Sequence, residues 1–494
     1  MPEQYENLRR RRRTRVPKWQ RFLRRYGPSL MLVVLVVCCV SMVAFTIWNV
    51  SATLDAYKES QNQIQNPPQQ TTVPSTTAGL DLEAVQDAIA ASEKLAGGYD
   101  YEGAIACLQA VEHWEESDEI AAKIKEYEAL DDTLVSYTDL DNITHIFFHS
   151  LIVDTDRAFD GDKEQDGFNM YMVTVDEFNK ILQSMYDRGY VLVSPYDIAY
   201  EVSDEYGTRF EYGDIRLPEG KIPFLMSQDD VNYYGYMIGT GNGKDEKPVF
   251  ADTNGDGFAH KIVIGEDGYP TCEYMDANGN ITTGNYDLVP VLETFIQAHP
   301  DFSYHGARAM LGVTGYEGVF GYRTKPGYNV ENGGVMSMEE WNAEVAQAKA
   351  VAECLKEKGW IIASHSYGHP SYGKIEADRV ALDSNKWEDT VQYIVGETDI
   401  ILFPHGSDIN SWHNYTTENQ KFNELYEDGY RYFFNVDSKV AWVQIGDTYF
   451  RASRRNIDGY RMYHYPERLE DLFDVKEVFD PARPTPVPDS GPGM

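Results

Sequence analysis

Cysteine is scarce in this 494-residue chain: five in all, with Cys38 and Cys39 inside one apolar run and Cys107, Cys272 and Cys354 scattered beyond it. An odd, widely spaced set forms neither a disulfide framework nor a zinc-ribbon spacing, and a large domain buries enough core to do without either. Positive charge is also short. The 43 Lys and Arg face 79 Asp and Glu, a formal net charge of −36, which argues against nucleic acid as a partner. Long hydrophobic runs are missing too, with one exception near the N-terminus.

That exception, Ser29 to Trp48, is uncharged and apolar. At a rise of about 1.5 Å per residue it is long enough to cross a hydrocarbon core of roughly 30 Å. Residues 1–28 hold ten basic and two acidic side chains, with Arg9 to Arg13 in an unbroken row, whereas Asn49 to Thr53 carry no charge. The positive-inside rule then predicts a cytoplasmic tail (1–28), a single membrane helix (29–49) and an extracellular remainder. A cleaved signal peptide is the alternative, but the run exceeds the usual signal core and no small-x-small cleavage site follows. The basic row is also suited to anionic headgroups, though topology alone accounts for it.

Residues 50–78, rich in Gln, Pro and Thr, read as an extended linker. Apolar positions at helical spacing return over 79–132, with a Gly97-Gly98 break. The stretch from Gly97 to Val111 resembles one tetratricopeptide-type hairpin, too little for a solenoid, so a small helical stalk that could dock a protein partner is expected. From 140 to 480 short apolar runs alternate with amphipathic stretches, the pattern of an α/β domain. The runs beginning at Ile146, Tyr190, Ile222, Trp360 and Asp399 read as strands. Helices are expected after the caps Thr174 and Ser337, ending at Gly189 and Gly359. The Pro-rich residues 481–494 read as a disordered tail.

Polar residues gather just past three of these strands, where parallel α/β folds assemble active sites. Asp229 and Asp230 follow Ile222–Gln228, and paired carboxylates there seldom have a packing reason. His365 and His369 lie four apart after the strand at Trp360, on one face if a helical turn begins there, a spacing that suits one metal ion. The third strand leaves through Phe403-Pro404-His405-Gly406.

In this order, Asp-Asp, then His-x-x-x-His, then strand-Pro-x-Gly, the segments resemble the NodB-homology polysaccharide deacetylases, with motifs Thr-Phe-Asp-Asp-Gly, His-Ser/Thr-x-x-His and Arg-x-Pro-Tyr. The resemblance takes in most of 143–480, including the opening Phe148-His149 strand. It implies a distorted or incomplete (β/α) barrel. It also implies a divalent metal held by Asp230, His365 and His369, with zinc first and cobalt, nickel or manganese as alternatives. Asp229 would be the general base and the backbone N–H of His405 the oxyanion donor. The implied reaction removes N-acetyl groups from an extracellular amino-sugar polymer, peptidoglycan or exopolysaccharide. A non-catalytic surface glycan-binding or assembly protein, and a deacylase for another ester or amide, are the competing readings.

The chain departs from the motifs in places. Gln228 stands where the family has Phe, Val231 where it has Gly and His405 where it has Tyr, and the third motif lacks its Arg. Arg454, Arg455 and Arg461 are candidates to orient the base instead. No late Leu-x-His motif supplies a general acid; His464, partnered by Asp458, is expected there, with His149 and His413 as alternatives. Residues 239–286 form an insertion, expected as a β-hairpin flap beside the catalytic face. Its Asp252, Asn254, Asp256 and Gly257 look like the start of an EF-hand loop, but Val263 stands at the twelfth position, so Asp/Asn-Gly turns are the better reading. Tyr233, Tyr367 and Trp412 are the rings expected to stack on sugar.

Overall fold

The computed structural model describes residues 80–205, 207–239, 253–437 and 441–489. The expected cytoplasmic tail, membrane helix and linker lie outside these. Among the described residues no helix is long and apolar enough to cross a membrane.

Three helices come first: α1 (Leu82–Gly97), α2 (Tyr101–Gln109) and α3 (Asp118–Asp131). Next are β1 (Thr144–Phe148), α4 (Val175–Asp187), β2 (Tyr190–Leu192) and β3 (Ile222–Gln228). The insertion contributes β4 (Lys261–Ile264), β5 (Pro270–Met275) and β6 (Ile281–Gly284). Then come α5 (Leu288–Ala298), β7 (Met310–Val313), α6 (Met338–Glu357) and β8 (Ile361–Ser364). The last group is α7 (Ala377–Trp387), β9 (Ile400–Leu402), α8 (Gln420–Glu427), β10 (Tyr432–Val436) and β11 (Phe450–Asn456).

Seven parallel strands, in the order β3-β7-β8-β9-β10-β11-β1, close on themselves when β1 pairs with β3. The short β2 pairs with the opening half of β3, and β7 takes over its last residues at Ser227 and Gln228. The ring is thus a complete barrel of seven strands. Side chains alternate across each strand. Leu225, Leu402, Phe434, Phe450 and Ala452 share the inner core, while Ile146, Phe148 and Met226 pack outward in another with Phe178 and Ile181 of α4. Full capping boxes start α4 and α6, Thr174 with Glu177 and Ser337 with Glu340, and Gly189 and Gly359 follow their ends at φ 83° and 91°.

Three expectations need correction. The segment 79–132 does not stand off as a stalk: Val85, Leu108, Ile120 and Ile124 join the same core as the barrel interior. Arg216 donates to Asp131 at 3.0 Å, and the Tyr99 hydroxyl donates to the Asp301 carbonyl at 3.0 Å. The insertion is a three-stranded antiparallel sheet, not a two-stranded flap. Alternation in β5 buries Pro270, Cys272 and Tyr274, and its turn at Gly268 accepts from Cys354 of α6, so it lies along the barrel's flank. Asp276 caps the β5–β6 turn through the N–H groups of Asn278 and Asn280, as its Asp/Asn-Gly composition implies. Disorder does not begin at 481 either. Arg483 is buried in an ion pair with Glu177 of α4 at 2.6 Å, and Val487 is buried too.

Asp256 shows the cost of crowded acidity. Burial, and after it the charges of Asp162, Glu164 and Asp160, push its carboxyl up to about 7. The folded state therefore holds this proton more tightly than the unfolded chain does, and stability falls as pH rises from the ordinary carboxylate range through about 7. Asp256→Asn is expected to raise the melting temperature more at pH 8 than at pH 5. An equal change at both would show that the carboxylate is not the cause.

Candidate metal centre and active site

The site is built at the C-terminal ends of the barrel strands. Leu225, Ser227 and Asp229 occupy alternate positions along β3 and its exit, so Asp229 continues an inward face. Its N–H donates to the Phe148 carbonyl at 2.8 Å, extending the ladder with β1 by one residue. On β11, Phe450, Ala452 and Arg454 alternate in the same way. The fully buried Arg454 donates to Asp229 Oδ1 at 2.5 Å, to Ser227 Oγ at 3.4 Å and to the Phe403 carbonyl at 3.3 Å. Burial would raise the Asp229 carboxyl, but Arg454 and then His365 overcome this and hold it well below the usual carboxylate range. Of the three candidate arginines, Arg454 is the one that pairs with Asp229. Arg455 turns away to Asp471, and Arg461 donates to Asn456.

Asp230 turns out of the strand at φ 58°. The Tyr234 hydroxyl fixes its Oδ1 at 2.6 Å and also meets Thr314 Oγ1 at 2.7 Å. His365 follows β8, with Nδ1 2.8 Å from the Leu402 carbonyl of β9. Nδ1 must carry the proton in that bond, so Nε2 presents a lone pair to the site. Burial lowers the His365 pKa to about 4 against the pull of Asp229 and Asp230, so the ring is neutral at pH 7. No helical turn presents His369. Ser366 and His369 sit at φ 63° and 57°, with the His369 N–H on Ser366 Oγ at 3.0 Å.

Asp230, His365 and His369 offer ligand atoms all within 4.8 Å of one another. One carboxylate and two imidazoles, one ring held neutral by burial, fit a divalent ion and leave coordination positions open. With His405 at φ 54°, four non-glycine residues of the three motifs adopt left-handed backbone, a costly conformation concentrated where side chains must converge.

The other expected residues divide. His405 reaches the site, its ring 4.3 Å from that of His369, and burial followed by His369 lowers its pKa. His464 does not: its Nε2 lies 3.0 Å from the Val487 carbonyl and 3.2 Å from that of Pro488, so the tail occupies it. Asp458 caps the helix that carries it, taking the Arg461 N–H. His149 is half-buried at the exit of β1. Its Nδ1 lies 3.2 Å from the Tyr171 carbonyl, which leaves Nε2 free of that bond. His413 lies out on a loop with its ring tilted against that of Trp412, 3.9 Å between centroids.

Tyr233 and Tyr367 are not sugar platforms. Tyr233 is buried with its hydroxyl on Asp287 at 2.6 Å, and Tyr367 is buried with Lys386 over its ring at 3.9 Å. Trp412 is 75% exposed. The role of Tyr234 in holding Asp230 escapes a motif reading because its spacing suggests only one more aromatic. Asn232 escapes because its partner is distant in the chain: it exchanges hydrogen bonds with the Thr314 backbone at 2.9 and 3.0 Å and ties the exit of β3 to that of β7.

The Streptococcus pyogenes deacetylase PplD in complex with acetate is similar over 69% of this chain and 99% of its own, at 16% identity and a TM-score of 0.35. No protein-family model matches the chain, and no curated protein does.

Proposed function

We propose that the protein is a metal-dependent hydrolase that removes N-acetyl groups from an extracellular amino-sugar polysaccharide. One observation carries the reading: a buried carboxylate held ionised by Arg454 stands beside, and outside, a three-ligand group for a divalent ion. Amide hydrolysis needs a water made nucleophilic, a place for developing negative charge and a proton for the departing amine. A bound divalent ion, zinc by preference, supplies Lewis acidity for the first two.

The chain's own groups do the rest. Asp229 takes the water's proton, and its pairing with Arg454 keeps it from shifting toward Asp230. The backbone at His405 offers its N–H to the oxyanion. His149, at the exit of β1, gives a proton to the departing amine. The membrane span at 29–49 and the outward orientation belong to the same proposal, resting on the basic row before the apolar run.

The test is full-length protein loaded in turn with zinc, cobalt, nickel and manganese, assayed for acetate release from N-acetylglucosamine oligomers. Release that a chelator stops and metal restores is the expected result. Metal-loaded protein that frees no acetate from any amino-sugar polymer would sink the reading. Within it, His149→Ala should lower kcat by about 10²-fold as a general acid's loss does, and His464→Ala should stay near wild type. The opposite order would return the acid role to His464.

A further inference from the structure

Asp287 is a buried carboxylate that the chemistry above leaves without a task. It caps α5 through the Leu288 N–H at 2.8 Å and is wholly buried. A cap alone does not account for it, because Ser, Asn or Thr would serve that end without the desolvation cost of an acid. Its other contacts reach far along the chain. Oδ1 also accepts from the Leu151 N–H at 2.9 Å and from Gln228 Nε2 at 2.9 Å, and Oδ2 takes the Tyr233 hydroxyl at 2.6 Å.

Gln228 and Tyr233 flank the turn that carries Asp229 and Asp230. One carboxylate thus spans the turn, with an oxygen on each end. The turn needs such support. Asp230 and Tyr233 sit at φ 58° and 51°, a conformation that non-glycine residues keep only where the surroundings over-determine it. The middle of the turn is tied separately, by the Val231 N–H on the Gly312 carbonyl of β7 at 3.0 Å and by Asn232 on Thr314. Arg323 Nη2 holds the Tyr233 carbonyl at 2.8 Å. Gln228 shows that the clamp is built at a cost. Its Oε1 has no hydrogen-bond partner among the described residues, a burial penalty that an apolar side chain there would avoid, while its amide goes to Asp287. Leu151 lies two residues past His149, so the exit of β1 is drawn to the same oxygen.

We infer that Asp287 is a positioning residue: acting through Gln228 and Tyr233, it sets where Asp230 stands relative to Asp229, and so the placing of a divalent ion beside the base. It touches neither ion nor substrate. The effect on turnover rests on the deacetylation reading, whereas the effect on the ion does not.

Full-length protein is titrated with cobalt(II) alone while its visible spectrum is recorded, and acetate release from N-acetylglucosamine oligomers is measured on the loaded protein. Asp287→Ser keeps a helix cap but is too short to reach Gln228 and Tyr233. It should weaken cobalt binding about tenfold and alter the visible bands. It should also lower kcat about 10²-fold, the loss for a reacting group misplaced by about 1 Å, with KM within about twofold. Asp287→Asn, which keeps the reach, should recover most of the affinity and the wild-type bands. A residue that only caps α5 would show no such difference, since Ser caps as well as Asn. Gln228→Met and Tyr233→Phe each release one end and should shift the bands the same way by less; they decide the matter if Asp287→Ser does not fold. Wild-type bands and affinity in Asp287→Ser, or in both single-end variants, reduce Asp287 to a helix cap and overturn the inference. Wild type that binds cobalt but frees no acetate overturns deacetylation, while the spectra still decide the clamp. No cobalt binding by wild type overturns both.

Discussion

Asp229→Asn should release acetate at about a thousandth of the wild-type rate, in the range of general-base losses, while retaining one bound metal ion per chain. The two halves of this expectation come from different geometry. Asp229 is outside the ligand group of Asp230, His365 and His369, so its charge is not needed to hold the ion. It is, however, the carboxylate that Arg454 keeps ionised deep in the barrel mouth, and an amide there accepts no proton. Asn also leaves the buried guanidinium without its counter-charge, so the melting temperature should fall. The rate must therefore be compared where both proteins are folded, alongside metal content. Loss of metal together with rate would place Asp229 among the ligands. A rate within tenfold of wild type would remove it from the chemistry.

The pattern of strands, caps and motif segments that positions this site is legible in the sequence wherever the local signal agrees with the fold. Apolar runs at Ile146, Tyr190, Ile222, Trp360 and Asp399 all become parallel strands, and both capping boxes form. What escapes is carried by residues whose role is set by distant partners. The strand β11 reads Phe-Arg-Ala-Ser-Arg-Arg-Asn, polar by composition, because three arginines are buried there against Asp408, Asp229 and Asp471. Without that strand the partner of the base is one of three candidates, and only alternation within a closed barrel selects Arg454. The histidine pair is legible as a ligand pair, but its loop is not, since two left-handed residues replace the expected helical turn. His464 misleads because a late histidine satisfies a motif order, whereas the ordered tail that occupies it has only prolines to announce it. Tyr233 and Tyr367 mislead because sequence nearness to a motif does not distinguish a ring lining a groove from one filling the core.

Arg454→Ala is expected to cost about 3–5 kcal/mol of stability, the range for removing one partner of a buried ion pair, measured by denaturant unfolding. The side chain is wholly buried, makes three hydrogen bonds and lies 4.5 Å from the Phe147 ring centroid, so no solvent replaces it. The larger consequence is chemical. Burial by itself raises the Asp229 carboxyl, and Arg454 is the foremost cause of its being lowered. Without the guanidinium the desolvation penalty prevails, and the base takes up its proton at a higher pH. The acid limb of kcat/KM should therefore move to higher pH in Arg454→Ala. Arg454→Lys, which restores charge but not the fork to Ser227 and Phe403, should move it back only partly. Sign and stability are linked: a lowered carboxyl stabilises the fold above the ordinary carboxylate range and loses that contribution as pH falls through its folded value. The stability gap between wild type and Arg454→Ala should accordingly be widest near neutral pH and narrow on acidification. If the double variant Asp229→Asn with Arg454→Ala is no more stable than the sum of the single losses predicts, the two side chains are not coupled, and the base owes its ionisation to something else.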